Sequence, residues 1–343
     1  MNELIARKIE FHDDRAELVE QALTEPGENQ VLIRTRVSLI SPGTETAALK
    51  RVWDDPVFRA NPGYALAGEI ILAGPNSAGL APGDRVIALM NHASLSLASA
   101  DPWTTLKIPD SLSYAEATFL PLASVALHAI RRARIELGET FLIIGMGLIG
   151  QIAVSLAKMQ GAHQVIAMDL MEKRLEIARS RGADITINPT YEDPQQKVFA
   201  ATRGEGAPVI LDASGNTRVI PKAFRLAAIG GRIVCVGIIN ENVTFNFYKE
   251  FMQRELSLIA ASQPRCPTTQ NIYWRWTQQA NRQFLLDLMA SGKLDVSGLI
   301  SDRLDAGQAP QAYERLCQGE AESMGILLEW NRSDVDRSSL AKE

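Results

Sequence analysis

Three glycines, Gly145, Gly147 and Gly150, stand in the spacing G-x-G-x-x-G, directly after the apolar run Phe141-Leu142-Ile143-Ile144. A helical pattern of Ile149, Ile152, Ala153, Leu156 and Ala157 follows them, closed by Gly161 where a helix C-cap belongs. At a strand-to-helix turn this spacing suits a pyrophosphate. Gly145 permits the tight turn, Gly147 lets backbone approach the anion, and Gly150 lets the helix pack close to the strand. The amides and dipole of the helix start, around Leu148 and Ile149, receive the negative charge. The next strand, Val165 to Met168, ends on Asp169, twenty-four residues after Gly145. A carboxylate there accepts the ribose hydroxyls of adenosine and repels a 2′-phosphate. The expected cofactor is therefore NAD rather than NADP. Arg174, five residues beyond Asp169, belongs either beside the ribose or adenine or on a solvated helix surface.

The elements that must hold these groups are legible on both sides of the turn. From about Tyr114 onward, helical patterns alternate with continuous apolar runs at Phe141 to Ile144, Val165 to Met168, Val209 to Leu211 and Arg232 to Val236. Strands apolar on both faces, alternating with helices, predict a parallel sheet covered on both sides, an α/β doubly wound domain. The first 120 or so residues read instead as short strands and turns, with turn chemistry at Ser41-Pro42-Gly43, Asn61-Pro62-Gly63, Gly74-Pro75-Asn76 and Pro82-Gly83-Asp84. Val31 to Leu39 alternates as a half-buried strand, with Val31, Ile33, Thr35, Val37 and Leu39 on one face and Arg34, Arg36 and Ser38 on the other. After Cys266 come a helical stretch, Gln283 to Ala290, and a last strand-like run, Gly325 to Trp330. The expected layout is a β-rich domain over 1–118, a dinucleotide domain over 119–265, a return to the first domain over 266–330, and a frayed polar tail over 331–343.

A chain of 343 residues with 46% hydrophobic and 22% charged side chains has the composition of a soluble globular protein of two domains. The net charge is −5 and the largest basic group is Arg131, Arg132 and Arg134, so no nucleic-acid partner is expected. No apolar run reaches the length of a membrane span, and Met1 to Asp14 lacks the apolar core of a signal peptide; a cytoplasmic location without membrane attachment is the expectation. Three cysteines, Cys235, Cys266 and Cys317, without a C-x-x-C pair, provide neither a disulfide framework nor a cysteine-built zinc site.

Taken together, several motifs resemble the medium-chain dehydrogenase/reductase family of alcohol and polyol dehydrogenases. They are Pro82-Gly83-Asp84-Arg85-Val86, the fingerprint with Ala157-Lys158 and Gly161-Ala162, Leu175 with Gly182-Ala183-Asp184, Leu211-Asp212-Ala213-Ser214-Gly215-Asn216, and Gly230-Gly231-Arg232-Ile233-Val234 with Val236-Gly237-Ile238. The resemblance runs from Val31 to Trp330. It implies a GroES-like substrate domain built from both chain ends around a Rossmann domain, an active site in the cleft between them, and a homo-oligomer, dimer or tetramer. It also implies that Val236, Gly237 and Ile238 border the nicotinamide, that Ser214 and Gly215 lie near the cofactor, and that Ser124 helps hold it.

The zinc positions of that family are where the chain departs from its best-known branch. Pro42-Gly43-Thr44-Glu45 stands where C-G-[ST]-D provides a ligand cysteine, and Gly63-Tyr64-Ala65 stands where G-H-E provides a ligand histidine. Leu89 to Lys107 contains no cysteine, so the structural-zinc loop is missing too. The pattern is similar to a zinc-lacking branch that includes the hydroxyethyl-bacteriochlorophyllide dehydrogenases. Without a metal to stabilise an alkoxide, another group must take the alcohol proton. The loops matching the zinc positions offer His92 as acceptor, because imidazole exchanges protons near neutrality. They offer Tyr64 as orienter or alternative acid and Thr44 as a relay hydroxyl. Glu45 is either a further participant or the partner of an arginine such as Arg51. The expected activity is a zinc-independent, NAD-dependent oxidation of a secondary alcohol, or reduction of its ketone, on a polyol, sugar, cyclitol or larger hydroxyalkyl metabolite. The alternatives are an NADPH-dependent enone or quinone reductase and a cofactor-binding redox sensor without turnover. The cluster Asn271-Ile272-Tyr273-Trp274-Arg275-Trp276 is left open between a pocket wall and a subunit interface.

Overall fold

The computed structural model describes residues 4–12, 14–52, 60–272, 274–319 and 323–331. Tyr273 and the polar tail beyond Asn331 lie outside the described residues. The chain divides into two compact units, one of residues 1–121 with 278–343 and one of 122–277.

The first unit opens with an antiparallel hairpin, β1 (Leu4–His12) and β2 (Arg15–Leu23). Its main sheet contains β3 (Gln30–Leu39), β4 (Leu66–Ala73), β5 (Arg85–Ala88), β6 (Leu95–Ser99) and β7 (Thr105–Lys107). Two strands from the far end of the chain, β14 (Ile300–Asp305) and β15 (Gly325–Glu329), complete it. The order is β14-β15-β3-β4-β5-β7, and β6 also pairs with β3. The central strand β3 is not half-buried as its alternation predicts. Leu32 and Ser38, on the nominally polar face, have no exposure. Leu32 clusters with Leu4 and Ala6 of the hairpin and with Leu95, so that face is covered as well. Arg34 and Arg36 share Glu69 of β4 at 3.1 and 3.2 Å. A short helix, α1 (Pro42–Leu49), follows β3 directly.

The second unit begins within α2 (Leu120–Ala133) and carries a six-stranded sheet. Its strands are β8 (Thr140–Ile144), β9 (Gln164–Met168), β10 (Ile185–Ile187), β11 (Ala207–Asp212), β12 (Ala227–Cys235) and β13 (Ser257–Ala260). All five pairings are parallel, in the order β10-β9-β8-β11-β12-β13. Helices α3 (Leu148–Gln160), α4 (Glu172–Ser180), α5 (Pro194–Ala201) and α6 (Val219–Leu226) alternate with the strands. Leu142, Ile144, Ile166, Met168, Ile210 and Ile233 form one apolar face with Val198 of α5 and Phe224 of α6. Phe141, Ile143, Val165 and Val209 lie on the opposite face and are equally without exposure. The chain builds outward from β8 to β10, then crosses over to β11, which makes the β8/β11 border the switch point where such sheets bind ligands.

The return to the first unit falls at Gln278, where α7 (Gln278–Ala290) starts, rather than at Cys266. The physical reason is the intervening segment's packing inside the second unit. The Arg131 guanidinium of α2 lies 3.8 Å from the ring centre of Trp276, and Arg275 lies over the same indole at 5.4 Å. The last helix, α8 (Ala309–Gln318), belongs to the first unit. Among the described residues no helix is long and apolar enough to cross a membrane.

Candidate active site

In the second unit the fingerprint forms the turn from β8 into α3. Gly145 has φ +95°, a conformation L side chains rarely adopt, and a Cβ there would sit 2.8 Å from the Ser214 amide nitrogen. A Cβ on Gly150 would fall 1.9 Å from the Gly145 carbonyl oxygen, so any larger residue forces helix and strand apart. Gly147 is the opposite case. It is the N-cap of α3, makes no side-chain cap, and has open space where a Cβ would be. Leu148 and Ile149 begin the helix behind it. An uncapped helix start beneath an open glycine fits a pyrophosphate.

Asp169 follows β9 and closes the turn from the side. Its Oδ2 accepts from the Met146 amide at 2.6 Å and its Oδ1 from the Met171 amide at 2.9 Å. Each oxygen keeps a lone pair for a further donor, as a ribose hydroxyl would need. Arg174 is part-buried in α4, and its Nε has no partner among the described residues. Across the switch point, the loops after β11 and β12 pack backbone to backbone. A Cβ on Gly237 would meet the Gly215 nitrogen at 2.3 Å, and one on Gly215 (φ +66°) the Ile238 oxygen at 3.1 Å. Ser214, Gly215 and Ile238 are exposed on that rim beside part-buried Val236. Ser124 lies in α2 and is buried.

Two residues missed in the sequence brace this region, Asp212 the rim and Gln151 the fingerprint turn. Asp212 ends β11 with no exposure, and its Oδ1 accepts from both the amide (2.9 Å) and the hydroxyl (2.6 Å) of Ser214. Burial raises the Asp212 carboxyl above its usual range, against those two bonds. Gln151, buried in α3, donates from Nε2 to the Met146 carbonyl at 3.2 Å and the Arg174 carbonyl at 2.7 Å, joining fingerprint to α4. An amide on the buried stripe of an otherwise apolar helix was the available signal.

The first unit brings Thr44, Glu45, Tyr64 and His92 near one another, in an arrangement that reverses two of their expected roles. Glu45 and His92 have no exposure. The His92 Nε2 lies 3.1 Å from Glu45 Oε2, and its Nδ1 lies 2.8 Å from Ser38 Oγ. The Trp330 indole, which can only donate, gives its N–H to the same Ser38 Oγ at 3.0 Å. Ser38 therefore has its own proton left for Nδ1, and an imidazole protonated on Nε2 satisfies every partner. Glu45 collects the donors: His92 Nε2, the Tyr313 hydroxyl on Oε2, and the Ser41 amide on Oε1 at 2.7 Å.

His92 as proton acceptor is accordingly corrected. Both ring nitrogens are engaged, the ring reaches no surface, and a Cβ on Gly63 would come within 2.7 Å of it. Its amide also donates to the Pro62 carbonyl at 3.0 Å, so it buttresses the Pro62-Gly63-Tyr64 turn instead. Glu45 is likewise an internal anchor and not the partner of Arg51, whose guanidinium lies 3.2 Å from Asp14.

Tyr64 and Thr44 remain part-exposed. The Tyr64 hydroxyl donates to Ser41 Oγ at 2.6 Å. Burial pushes its phenol up to about 12; hydrogen bonds with Ser41 and Thr44 oppose the rise and the charge of Glu45 adds to it. A zinc ion does not fit these donors. Proline at 42 has no lone pair to offer, the Tyr64 phenol resists ionisation, and the neighbouring imidazole is occupied on both sides.

The comparisons with known proteins agree with this architecture. Residues 149–278 match the family model described as zinc-binding dehydrogenase, a segment confined almost wholly to the second unit. The chain is 28% identical over 253 residues to D-guloside 3-dehydrogenase of Escherichia coli K12, covering 73% of this chain and 72% of that one. It is 30% identical over 225 residues to sorbitol dehydrogenase of Bacillus subtilis, covering 66% of this chain and 60% of that one. A putative zinc-binding dehydrogenase of Sinorhizobium meliloti, solved with NADP, superposes with a TM-score of 0.79 at 20% identity, over 95% of this chain and 99% of that one. By sequence and by fold the chain is similar to the medium-chain dehydrogenases/reductases, and it has their architecture of a GroES-like and a Rossmann domain. These relatives are dehydrogenases, which supports an alcohol dehydrogenase-like oxidoreductase.

Proposed function

We propose that the protein is a zinc-independent, NAD-dependent dehydrogenase interconverting a secondary alcohol and its ketone on a polyol, sugar or cyclitol, or on a larger hydroxyalkyl metabolite. The carrying observation is the pair formed by the Tyr64 phenol and the Ser41 hydroxyl in place of metal ligands. Bound NAD supplies the hydride acceptor, or as NADH the donor. Gly145, Gly147, Gly150 and the amides around Leu148 and Ile149 hold the pyrophosphate, and Asp169 takes the ribose hydroxyls in preference to a 2′-phosphate. Arg174 flanks the adenosine. Ser214, Gly215, Val236, Gly237 and Ile238 form the nicotinamide rim, and Ser124 supports it.

Tyr64 handles the proton. A phenol near 12 is protonated at neutral pH and gives its proton to the oxygen of a ketone as that oxygen becomes an alkoxide. In the oxidising direction the phenolate takes the alcohol proton back. Thr44, which also bonds the phenol, relays. Family resemblance supports a homo-oligomer, and three free cysteines suit a reducing, cytoplasmic setting.

Steady-state turnover of sorbitol, inositols, sugars and larger hydroxyalkyl compounds with NAD tests the reading. Tight NADH binding with no turnover across that range would favour the redox sensor, and reduction of enones or quinones with NADPH would favour the reductase.

A further inference from the structure

Ser41 is the N-cap of α1, a position where serine ordinarily bonds the helix's own free amides. Here it makes no such bond. Its Oγ turns away from the helix and accepts the Tyr64 hydroxyl at 2.6 Å. The side chain is held there from behind. The Ser41 amide donates to Glu45 Oε1 at 2.7 Å, its carbonyl accepts the Glu45 amide at 2.9 Å, and Glu45 is locked by His92 and Tyr313 in a region without solvent. Tyr64 is fixed from the other side, because Gly63 lies against the His92 ring. One buried assembly therefore sets both ends of the Tyr64–Ser41 hydrogen bond.

We propose that Ser41 is a positioning residue of the reaction, a hydroxyl that aims the Tyr64 phenol and returns a hydrogen bond to it once the phenol has lost its proton. The inference rests on the function proposed above. While Tyr64 is neutral, its O–H donates to Ser41. With bound NADH supplying the hydride and left as NAD, reduction of a ketone would break the Tyr64 O–H bond and form the product O–H bond. Ser41 keeps its own proton throughout and only turns, so that Ser41 O–H now donates to the Tyr64 phenolate, which water then reprotonates. An alanine can neither accept nor return that bond, whereas threonine can do both. Thr44 also bonds the phenol and Glu45 is the charge that raises it; Ser41 differs in being held by its own backbone to Glu45.

The test uses the full chain with 3,5-difluorotyrosine at position 64, whose phenol titrates at accessible pH, followed by fluorine NMR without substrate. Ser41→Ala is expected to raise the titration midpoint by about one unit or more, a tenfold or greater loss of phenolate stabilisation. Ser41→Thr should return it to within about 0.3 unit of the parent. Because the cap bond is not made, helix α1 should tolerate Ala. Ser41→Gly, well accepted at an N-cap, provides a second removal if Ala does not fold. A midpoint within about 0.3 unit of the parent in whichever of these folds overturns the proposal. Turnover separates it from the reading beneath it. If Tyr64→Phe keeps the parental rate, Tyr64 is not the proton carrier and both fall. If Tyr64→Phe is crippled while the fluorine midpoint ignores Ser41, only Ser41 loses its role.

Discussion

The Tyr313 hydroxyl donates to the Glu45 carboxylate across 268 residues of chain, and neither side chain is more than 1% exposed. Burial pushes the Tyr313 phenol well above its usual range, and the charge of Glu45 pushes the same way, so the proton stays on tyrosine. A carboxylate withdrawn from water must be surrounded by donors, and Glu45 gets its donors from α8, from the loop before β6 and from its own N-cap. Tyr313 also stands edge-on to Phe11 of the hairpin, at 5.0 Å between ring centres. The first unit thus gathers both chain ends around one acidic group.

Removing donors from Glu45 should therefore cost stability. Tyr313→Phe is expected to lower the unfolding free energy by about 1–3 kcal/mol, because a buried acceptor loses one partner. Glu45→Ala should cost more, about 3–5 kcal/mol, since it strands His92 and the Ser41 amide together. Urea unfolding measures both, and parental midpoints for the two variants would contradict the burial argument.

His92 and Tyr64 should separate by what they damage. Tyr64→Phe keeps the ring and is expected to lower kcat by about 10²- to 10⁴-fold with little loss of stability. His92→Ala should appear first as a destabilised fold, with NADH affinity retained wherever the protein remains folded. A stable His92→Ala enzyme with selectively lost turnover would restore histidine as the base.

Metal content follows from the donor set. Purified protein is expected to hold no stoichiometric zinc, and turnover should survive chelators. About one tightly bound zinc per chain, with chelator-sensitive activity, would falsify this.

Cofactor preference tests Asp169. NADH should bind more tightly than NADPH, and Asp169→Ala should narrow the difference, because the carboxylate accepts hydroxyls and repels phosphate. The bonds to Met146 and Met171 also disappear, so some weakening toward both cofactors is expected. Fluorescence titration of the parent that favours NADPH would end the NAD assignment.

Alkaline stability carries a signature of Tyr64. Its phenol is raised from 10.0 to about 12, so the folded chain holds that proton more tightly than the unfolded chain. The stabilisation is fully present below pH 10 and is lost as pH rises toward 12, with about 3 kcal/mol as its ceiling. Urea midpoints taken from pH 9 to 11 should fall less steeply in Tyr64→Phe than in the parent. Equal slopes would mean the phenol is not raised as described.

The sequence by itself determined the strand–turn–helix–strand stretch that opens the second unit's sheet. Gly145, Gly147, Gly150 and Asp169 lie within one strand–turn–helix–strand stretch, where local backbone rules and hydrophobic period are enough to place them. It also settled, through Pro42 and Tyr64, that the metal-ligand types are replaced. It did not reveal the roles of Glu45 and His92, because their partners are remote. Ser38 is 54 residues from His92, Glu45 is 47, and Trp330 reaches Ser38 across 292. No period or spacing records which polar groups a fold will exclude from water. Alternation along β3 assigned Ser38 to a wet face, and only tertiary packing covered that face. Once covered, histidine and glutamate had to spend their hydrogen-bonding capacity on each other and their neighbours, while Tyr64 stayed part-exposed.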